Sequence, residues 1–315
     1  MNGPPSVLLV PGIGSLVPGS LAPYADRWQV REVLAGLAAL PPGGAAAELL
    51  TRTGAGAGAR AGAGPGARAG AGAAPQSDEA VAQLAGYAQA VAFCALAEPR
   101  VTVARTPLLL GHSLGELAAF AAAGVLTVGD GARLLLAGLR LRDELGLPAG
   151  GLLALRLPAA ATRRLLVRVA LPGLALACDN GPEQCVVSGP RPAVVALAAL
   201  VRAEAVRCSL LPTGTLFHSP ELAPVARGVR ALAGTVEFRT PRVRVHDPLT
   251  GREYRSAAEF RDGVTHHLVR PVPFRCCVAR LRAAGVADFV EAGPRALLGR
   301  LVAGQRGAAG CVRPG

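Results

Sequence analysis

The sequence contains no lysine: its 33 basic residues are all arginine, against 21 acidic ones, for a formal net charge of +12. Aromatic residues make up only 3%, with a single tryptophan. A nucleic-acid surface wants clustered positive charge with interleaved aromatics on which bases stack. Here the arginines stand in ones and twos along the whole chain, so the charge reads as a compositional bias and nucleic acid is excluded as a partner. Its sign still favours acidic partners through long-range steering. No CxxC pair occurs among the seven cysteines, and their number is odd. That excludes a zinc ribbon and a disulfide framework, and no metal is expected. Free thiols fit a reducing compartment. The opening MNGPPSVLLVPGIG has neither the basic start nor the long apolar core of a signal peptide. No 18-residue apolar run free of polar groups and helix breakers stands out, so no membrane partner is expected. These absences point to a cytoplasmic protein. What is present, 315 residues that are 51% hydrophobic, is enough for a large core built mainly from Leu, Val and Ala.

Along the chain, SVLLV (6–10) reads as a buried strand ended by the turn PGIGS. Residues 23–39 carry helical spacing after a proline. The Gly/Ala tract at 53–75 cannot bury a core and reads as a flexible excursion. A helix is expected over 77–98, opened by Ser77-Asp78-Glu79. PLLLGHS (107–113) reads as a second buried strand, followed by helices over 114–123 and 128–145. The next stretch has a strand–helix–strand–strand–helix–strand order: 151–157, 160–170, 174–179, 184–189, 193–205 and 206–211. Asn180-Gly181 gives a hairpin signal between its two middle strands. That order is the βαββαβ ferredoxin-like unit. Residues 147–212 are therefore expected as a small subdomain inserted into a larger α/β subdomain formed by 1–146 and 213–315. The large part resumes with a helix near 219–233, a strand at 242–246, a helix at 273–284, a strand at 287–293 and a helix at 295–302.

Gly111-His112-Ser113-Leu114-Gly115 fits G-x-S-x-G, the sharp strand-to-helix turn that exposes a nucleophilic serine. Small neighbours are needed because the turn crowds the backbone. The N–H of Leu114, at a helix N-terminus, is placed to stabilise an oxyanion. A serine also needs a base. His112 adjoins it, and consecutive side chains diverge. His246 sits in a strand-like run. Spacing leaves His218 and His267 open, with His218 ending an irregular stretch just before a helix, a natural place for a catalytic group.

GHSLGELAAFAAAGVL, NGPEQCVVSG, LPTGTLFHSPEL and VEAGPRALLGRLV, in that order, resemble the malonyl-CoA:acyl-carrier-protein transacylase family, the acyltransferases of fatty-acid and polyketide synthesis. The likeness runs from about residue 6 to 303, apart from the Gly/Ala tract. It implies an α/β, hydrolase-like domain with a parallel sheet and nucleophile elbow, plus the ferredoxin-like insert. It further implies ping-pong transfer of an acyl group from an acyl-CoA to the phosphopantetheine thiol of an acyl carrier protein, with both thiol carriers as substrates and no cofactor. Ser113 would be the nucleophile and His218 the base, oriented by the main-chain carbonyl of His267. The backbone N–H groups of Ile13 and Leu114 would form the oxyanion hole. Asn180 matches a residue near the family's site. The chain could be one piece of a larger synthase.

Two departures from the family stand out. Its N-terminal Pro-Gly-Gln-Gly-Ser-Gln is Pro11-Gly12-Ile13-Gly14-Ser15-Leu16 here, which a backbone donor tolerates. The arginine that pairs with the malonyl carboxylate in malonyl-specific members is replaced by Gly138. Arg140 lies about 200° around the helix. Arg142 shares the face but sits about 6 Å along the axis. An unpaired buried carboxylate is costly, so the expected acyl group is neutral: acetyl, propionyl or longer. The alternative is malonyl held by a displaced Arg142. Phe217, beside His218, argues against a branched acyl group. An editing hydrolase on the same fold, an α/β-hydrolase esterase and a non-catalytic synthase module are the other readings.

Overall fold

The computed structural model describes residues 6–52, 75–102 and 108–305; the expected Gly/Ala excursion falls outside them except for Pro75. Two sheets organise the described chain. The large subdomain contains β1 (Ser6–Val10), β2 (Leu108–Gly111), β7 (Arg244–Asp247), β8 (Arg252–Glu253) and β9 (Asp288–Glu291), in the order β8-β7-β2-β1-β9. β1, β2, β7 and β9 run parallel, and the short β8 pairs antiparallel with β7 at one edge. β1 and β2 read as unbroken apolar runs because helices cover both faces of a parallel sheet. Val7, Leu9, Val10 and Leu110 are accordingly fully buried.

The helices of this part are α1 (Trp28–Ala35), α2 (Gly43–Thr51), α3 (Pro75–Thr102), α4 (Leu114–Ala122) and α5 (Val128–Glu144). α3 runs longer than the 77–98 expected. Its residues Asp78–Ala97, at a mean hydropathy of 1.5, form one helix long and apolar enough to cross a membrane. In the fold it is a core helix, packed on β1, α1, α2, α4 and α5, with Leu84, Ala85, Tyr87 and Ala88 fully buried. Its one fully buried amide, Gln89, accepts from the Val17 N–H (2.8 Å) and the Ser20 hydroxyl (2.9 Å) and donates to the Ser15 carbonyl (3.0 Å). A polar side chain in an apolar helix thus pins the 11–20 loop beside the elbow.

The insert contains β3 (Gly150–Leu155), α6 (Ala159–Val169), β4 (Ala175–Gly181), β5 (Gln184–Pro190), α7 (Arg191–Ala203) and β6 (Cys208–Leu210). Its antiparallel sheet has the order β4-β5-β3-β6, which is ferredoxin-like. The β4–β5 turn falls two residues later than the hairpin signal: Asn180 and Gly181 close β4, with Gly181 paired to Gln184, so Pro182-Glu183 makes the turn. One face of the sheet packs its Leu153, Leu155 and Val187 on α6 and α7. The other joins the main core through Leu152, Ala177, Cys178 and Val186. At the neck, the Gly150 N–H donates to the Gly214 carbonyl at 2.7 Å.

The chain then forms α8 (Ala223–Ala233), α9 (Ala257–Gly263), a one-turn α10 (His266–Val269), α11 (Phe274–Ala283) and α12 (Leu297–Ala303). α9 and α10 are too short to show helical periodicity in the sequence. Just past α10, Val272 exchanges backbone bonds with β4: its N–H donates to Ala177 O and its carbonyl accepts from Asp179 N, each at 2.9 Å. The segment after α10 is thereby stitched to the insert.

Candidate active site

β2 ends at Gly111 and α4 begins at Leu114, leaving Ser113 at the turn with φ 57° and ψ −126°. A non-glycine residue there is strained, and such strain persists only where the surroundings enforce it. The two flanking glycines show how. A Cβ on Gly115 would lie 2.0 Å from the Val10 carbonyl oxygen, and one on Gly111 would lie 2.2 Å from Glu116 Cα. Neither backbone neighbour can yield, so Gly115→Ala should destabilise the fold by about 2 kcal/mol or more; a denaturation midpoint equal to wild type would refute that reading of the turn.

His218 is the other strained non-glycine residue of the pair, with φ 61°. Its Nε2 lies 2.8 Å from Ser113 Oγ across 105 residues of sequence. Its Nδ1 donates to the Arg270 carbonyl at 2.7 Å. That second bond places the ring proton on Nδ1 and leaves Nε2 as the acceptor for the serine proton. The His267 carbonyl, the expected orienting group, accepts the main-chain N–H of His218 instead, at 3.2 Å. The reason is the one-turn helix. His267 lies inside α10, and Arg270, past its end, presents a carbonyl that helix geometry does not use. The Val272–β4 bonds hold that carbonyl in place. Among the described residues no carboxylate bonds this histidine, whose Nδ1 is held by a main-chain carbonyl in place of the acid of an esterase-type Ser-His-acid arrangement.

Both ends of this relay are buried: Ser113 is 7% and His218 1% exposed. Burial is the main reason the His218 imidazole titrates far below its ordinary 6.5, at about 3; the Arg270 bond opposes the shift, while His267 and His112 add to it. Burial likewise brings His267 down to about 4 and lowers His112, His246 and His266. Two outcomes follow. His218 is a neutral base throughout the physiological range, so the acylation rate should show no acid limb near 6.5 and stay level down to about pH 5; an inflection near 6.5 would contradict this environment. In stability, the unfolded chain takes up protons on five histidines near 6.5 while the folded chain resists them. The histidine contribution to stability is therefore greatest above 6.5 and falls as pH drops from there towards 4. Denaturation midpoints at pH 7.5 and 5.5 measure that loss.

The loop Pro11–Ser15 lies against the elbow: the Cβ direction of Gly12 meets His112 O at 2.4 Å and Leu114 N at 3.1 Å. Ser15 fastens this turn through N–H and hydroxyl bonds to the Gly12 carbonyl. The loop that carries Ile13 therefore faces the helix start that carries the Leu114 N–H, which as a first-turn donor has no intrahelical acceptor. Asn180, from β4 of the insert, bonds His112 Nε2 at 2.7 Å and donates to Gln184 Oε1 at 3.1 Å. The insert thus contributes directly to the elbow.

Gly138 and Phe217 line one small cavity, with Leu139, Val229, Gln83 and His267 among its other walls. Arg142 does not reach this space as a free cation. Its guanidinium is 8% exposed and pairs with Glu79 at 2.7 Å and Asp143 at 2.7 Å, besides donating to the Thr215 hydroxyl. Burial alone would raise the Glu79 carboxyl, but bonds from Arg142, Thr213 and Gly214 overcome it and hold the group below the ordinary carboxylate range. One guanidinium facing two carboxylates leaves no surplus positive charge for a ligand. In this structure Arg142, the alternative malonyl clamp, is therefore engaged with Glu79 and Asp143. Glu79 was missed as a partner because nothing in the sequence links α3 to α5.

Beneath the elbow, Glu116, Asp247 and His266 bring ligand-type atoms within 4.8 Å of one another. The carboxylates are already engaged. Glu116 accepts from the Tyr254 hydroxyl, and Asp247 accepts from Leu249 N, Thr250 N and the Thr250 hydroxyl. Burial raises the Glu116 carboxyl well above its usual range. The cluster reads as a hydrogen-bonded floor for α4. Among the described residues, six cysteines are in no disulfide; Cys311 lies outside them.

Comparison with known proteins agrees with this geometry. A family model described as "Acyl transferase domain" matches residues 67–308. Polyketide synthase GfsA of Streptomyces halstedii is 36% identical over 197 residues, 62% of this chain. The match spans only 3% of that protein. The crystal structure of malonyl-CoA:acyl carrier protein transacylase from Xanthomonas oryzae is similar with a TM-score of 0.76 at 26% identity, covering 96% of this chain and 91% of that one. A type II polyketide synthase acyl-carrier protein in complex with its malonyl-transacylase shares the fold, with a TM-score of 0.77 at 23% identity, covering 95% and 92%. A strained serine elbow, a buried histidine held by a backbone carbonyl, a ferredoxin-like insert and a family match over most of the residues lead to one conclusion: the chain belongs to the acyl transferase domain family.

Proposed function

We propose that the chain is an acyl-CoA:acyl-carrier-protein S-acyltransferase that works by a ping-pong mechanism and handles a neutral acyl group. The observation that carries the reading is the relay Ser113 Oγ–His218 Nε2 at 2.8 Å and His218 Nδ1–Arg270 O at 2.7 Å. Ser113 Oγ attacks the thioester carbonyl while Nε2 takes its proton. The tetrahedral oxyanion is stabilised by the Leu114 and Ile13 N–H groups. The C–S bond breaks, CoA leaves as the thiol with the proton from His218, and an ester remains on Ser113. In the second half-reaction Nε2 takes the proton of the carrier's phosphopantetheine thiol. The sulfur attacks the ester, and Ser113 recovers its proton from His218. A carrier-protein acceptor is supported by the similar transacylase in complex with an acyl-carrier protein and by the basic net charge of this chain.

Acyl preference follows from the cavity wall. At Gly138, a Cβ would meet only Val229 Cγ2 at 3.7 Å, and the nearest arginine along the helix face, Arg142, is neutralised. A carboxylate there would be buried without a cation, which costs several kcal/mol. The test is intact-mass measurement of the protein incubated with acetyl-, propionyl-, butyryl- and malonyl-CoA. Neutral acyl adducts on Ser113 are expected to dominate, and to be discharged by a carrier protein faster than by water. Stoichiometric malonyl loading would overturn the neutral preference, and faster discharge to water would favour an editing hydrolase.

A further inference from the structure

Asp179 is a largely buried carboxylate near the end of β4, with its side chain 13% exposed. Its Oδ2 accepts from Arg275 Nε, in the first turn of α11, at 3.2 Å. Its Oδ1 is buried with no hydrogen-bond partner among the described residues. A buried ion pair adds little to stability, because desolvation offsets the attraction. A pair in such a place answers a demand on geometry. The segment beside it is short and stiff. Between α10 and α11 the chain runs Arg270-Pro271-Val272-Pro273. The prolines have fixed φ and no N–H. Arg270, which precedes a proline, is extended at φ −103° and ψ 137°. Its N–H donates to His266 O at 2.8 Å, which ties the start of this strap to α10. From there to Pro273 only Val272 has an N–H, and it is the one that donates to Ala177 O of β4.

The strap carries the Arg270 carbonyl that holds His218 Nδ1 at 2.7 Å. Asp179 fixes it twice. Its main-chain N–H donates to the Val272 carbonyl at 2.9 Å, and its side chain grips the start of α11, which packs on β4. Bonds at Val272 alone leave the strap free to pivot about that residue, and a pivot would swing the Arg270 carbonyl off the imidazole. The grip on Arg275 blocks the pivot from the other end. The next residue of β4, Asn180, bonds His112 Nε2 at 2.7 Å, beside the nucleophile. One corner of the insert thus touches both halves of the Ser113–His218 relay. We propose that Asp179 and Arg275 are positioning residues for the base: their ion pair locks α11 against β4 and so keeps the Arg270 carbonyl aimed at His218 Nδ1. This rests on the acyltransferase reading above and deepens it, since the pair acts through a main-chain carbonyl on the histidine. A misplacement of about 1 Å at such a group costs on the order of 10²-fold in rate.

Single-turnover acylation of Ser113 is followed by intact mass in Asp179→Ala, Arg275→Ala, the double variant Asp179→Ala/Arg275→Ala and Arg275→Lys. The probe is whichever of acetyl-, propionyl-, butyryl- and malonyl-CoA labels the wild-type protein fastest. At saturating acyl-CoA the rate constant is expected to fall by about tenfold to 10²-fold in each alanine variant. The half-saturating concentration should stay within about twofold, because the pair orients the base and does not bind substrate. The double variant should be about as slow as the slower single one, since the two residues form one device. Arg275→Lys, which keeps the charge, should recover most of the rate. The final fraction of acylated Ser113 should equal that of wild type. A merely structural role would lower that fraction and leave the rate constant of the folded molecules unchanged. The double variant strands no charge and carries the test if a single variant does not fold. A wild-type rate in the double variant would overturn the proposal, as would losses that multiply between the single changes or a loss confined to the final fraction. If the wild-type protein is labelled and the variants match its rate, the acyltransferase reading stands and this inference falls. If no acyl-CoA labels Ser113 of the wild type, both fall together.

Discussion

Replacing His218 by alanine should slow acylation of Ser113 by about 10²–10⁴-fold, and Ser113→Ala should leave no acyl adduct at all. The expectation rests on how completely the site commits to one base. Ser113 Oγ has a ring nitrogen at 2.8 Å, and the far nitrogen of that ring is tied to Arg270 O at 2.7 Å. The tautomer is fixed by a main-chain group that no side-chain substitution removes. The pocket is too buried for water to take over as an efficient base. Single-turnover mass measurement with one acyl-CoA reads both variants. A His218→Ala protein that acylates at the wild-type rate would sink the assignment, and acylation lost instead in His267→Ala alone would move the base there.

Arg142→Ala should lower stability by about 3 kcal/mol or more, because it strands Glu79 as a buried charge without its partner. Glu79 then keeps only neutral donors: the Thr213 and Thr215 hydroxyls, the Gly214 N–H and Gln83 Nε2. Removing both charges with Glu79→Leu/Arg142→Leu should cost much less than the sum of Glu79→Leu and Arg142→Leu made singly, since the two are in one network. Chemical denaturation of the four proteins closes the cycle. A malonyl-specific loss of acylation in Arg142→Ala, with stability intact, would instead make this arginine a substrate clamp.

Much of the layout was legible in the sequence because it depends on local pattern. Unbroken apolar runs marked β1 and β2, and the strand–helix rhythm of 150–210 marked the insert. The elbow was legible for a steric reason: only glycine fits where a Cβ would touch the Val10 carbonyl or the Glu116 backbone. His218 stood out through its place between an irregular stretch and a helix, although spacing left His267 in contention. Gln89 could have been found, as an amide within the apolar helix α3. What stayed hidden involves contacts across long sequence distances. Glu79 meets Arg142 across 63 residues and Thr213 across 134, and Tyr254 meets Glu116 across 138.

The sequence by itself determined the chemistry that local sterics and composition can carry: a serine at a glycine-flanked elbow and an α/β frame with a ferredoxin-like insert. Only the tertiary structure decided which histidine meets the serine, which carbonyl orients it and whether Arg142 is available. Those depend on where α10 ends and how Val272 joins β4, and on α3 bringing Glu79 against α5. Main-chain groups carry no sequence signature, and a charge is free or spent only according to what the fold places beside it.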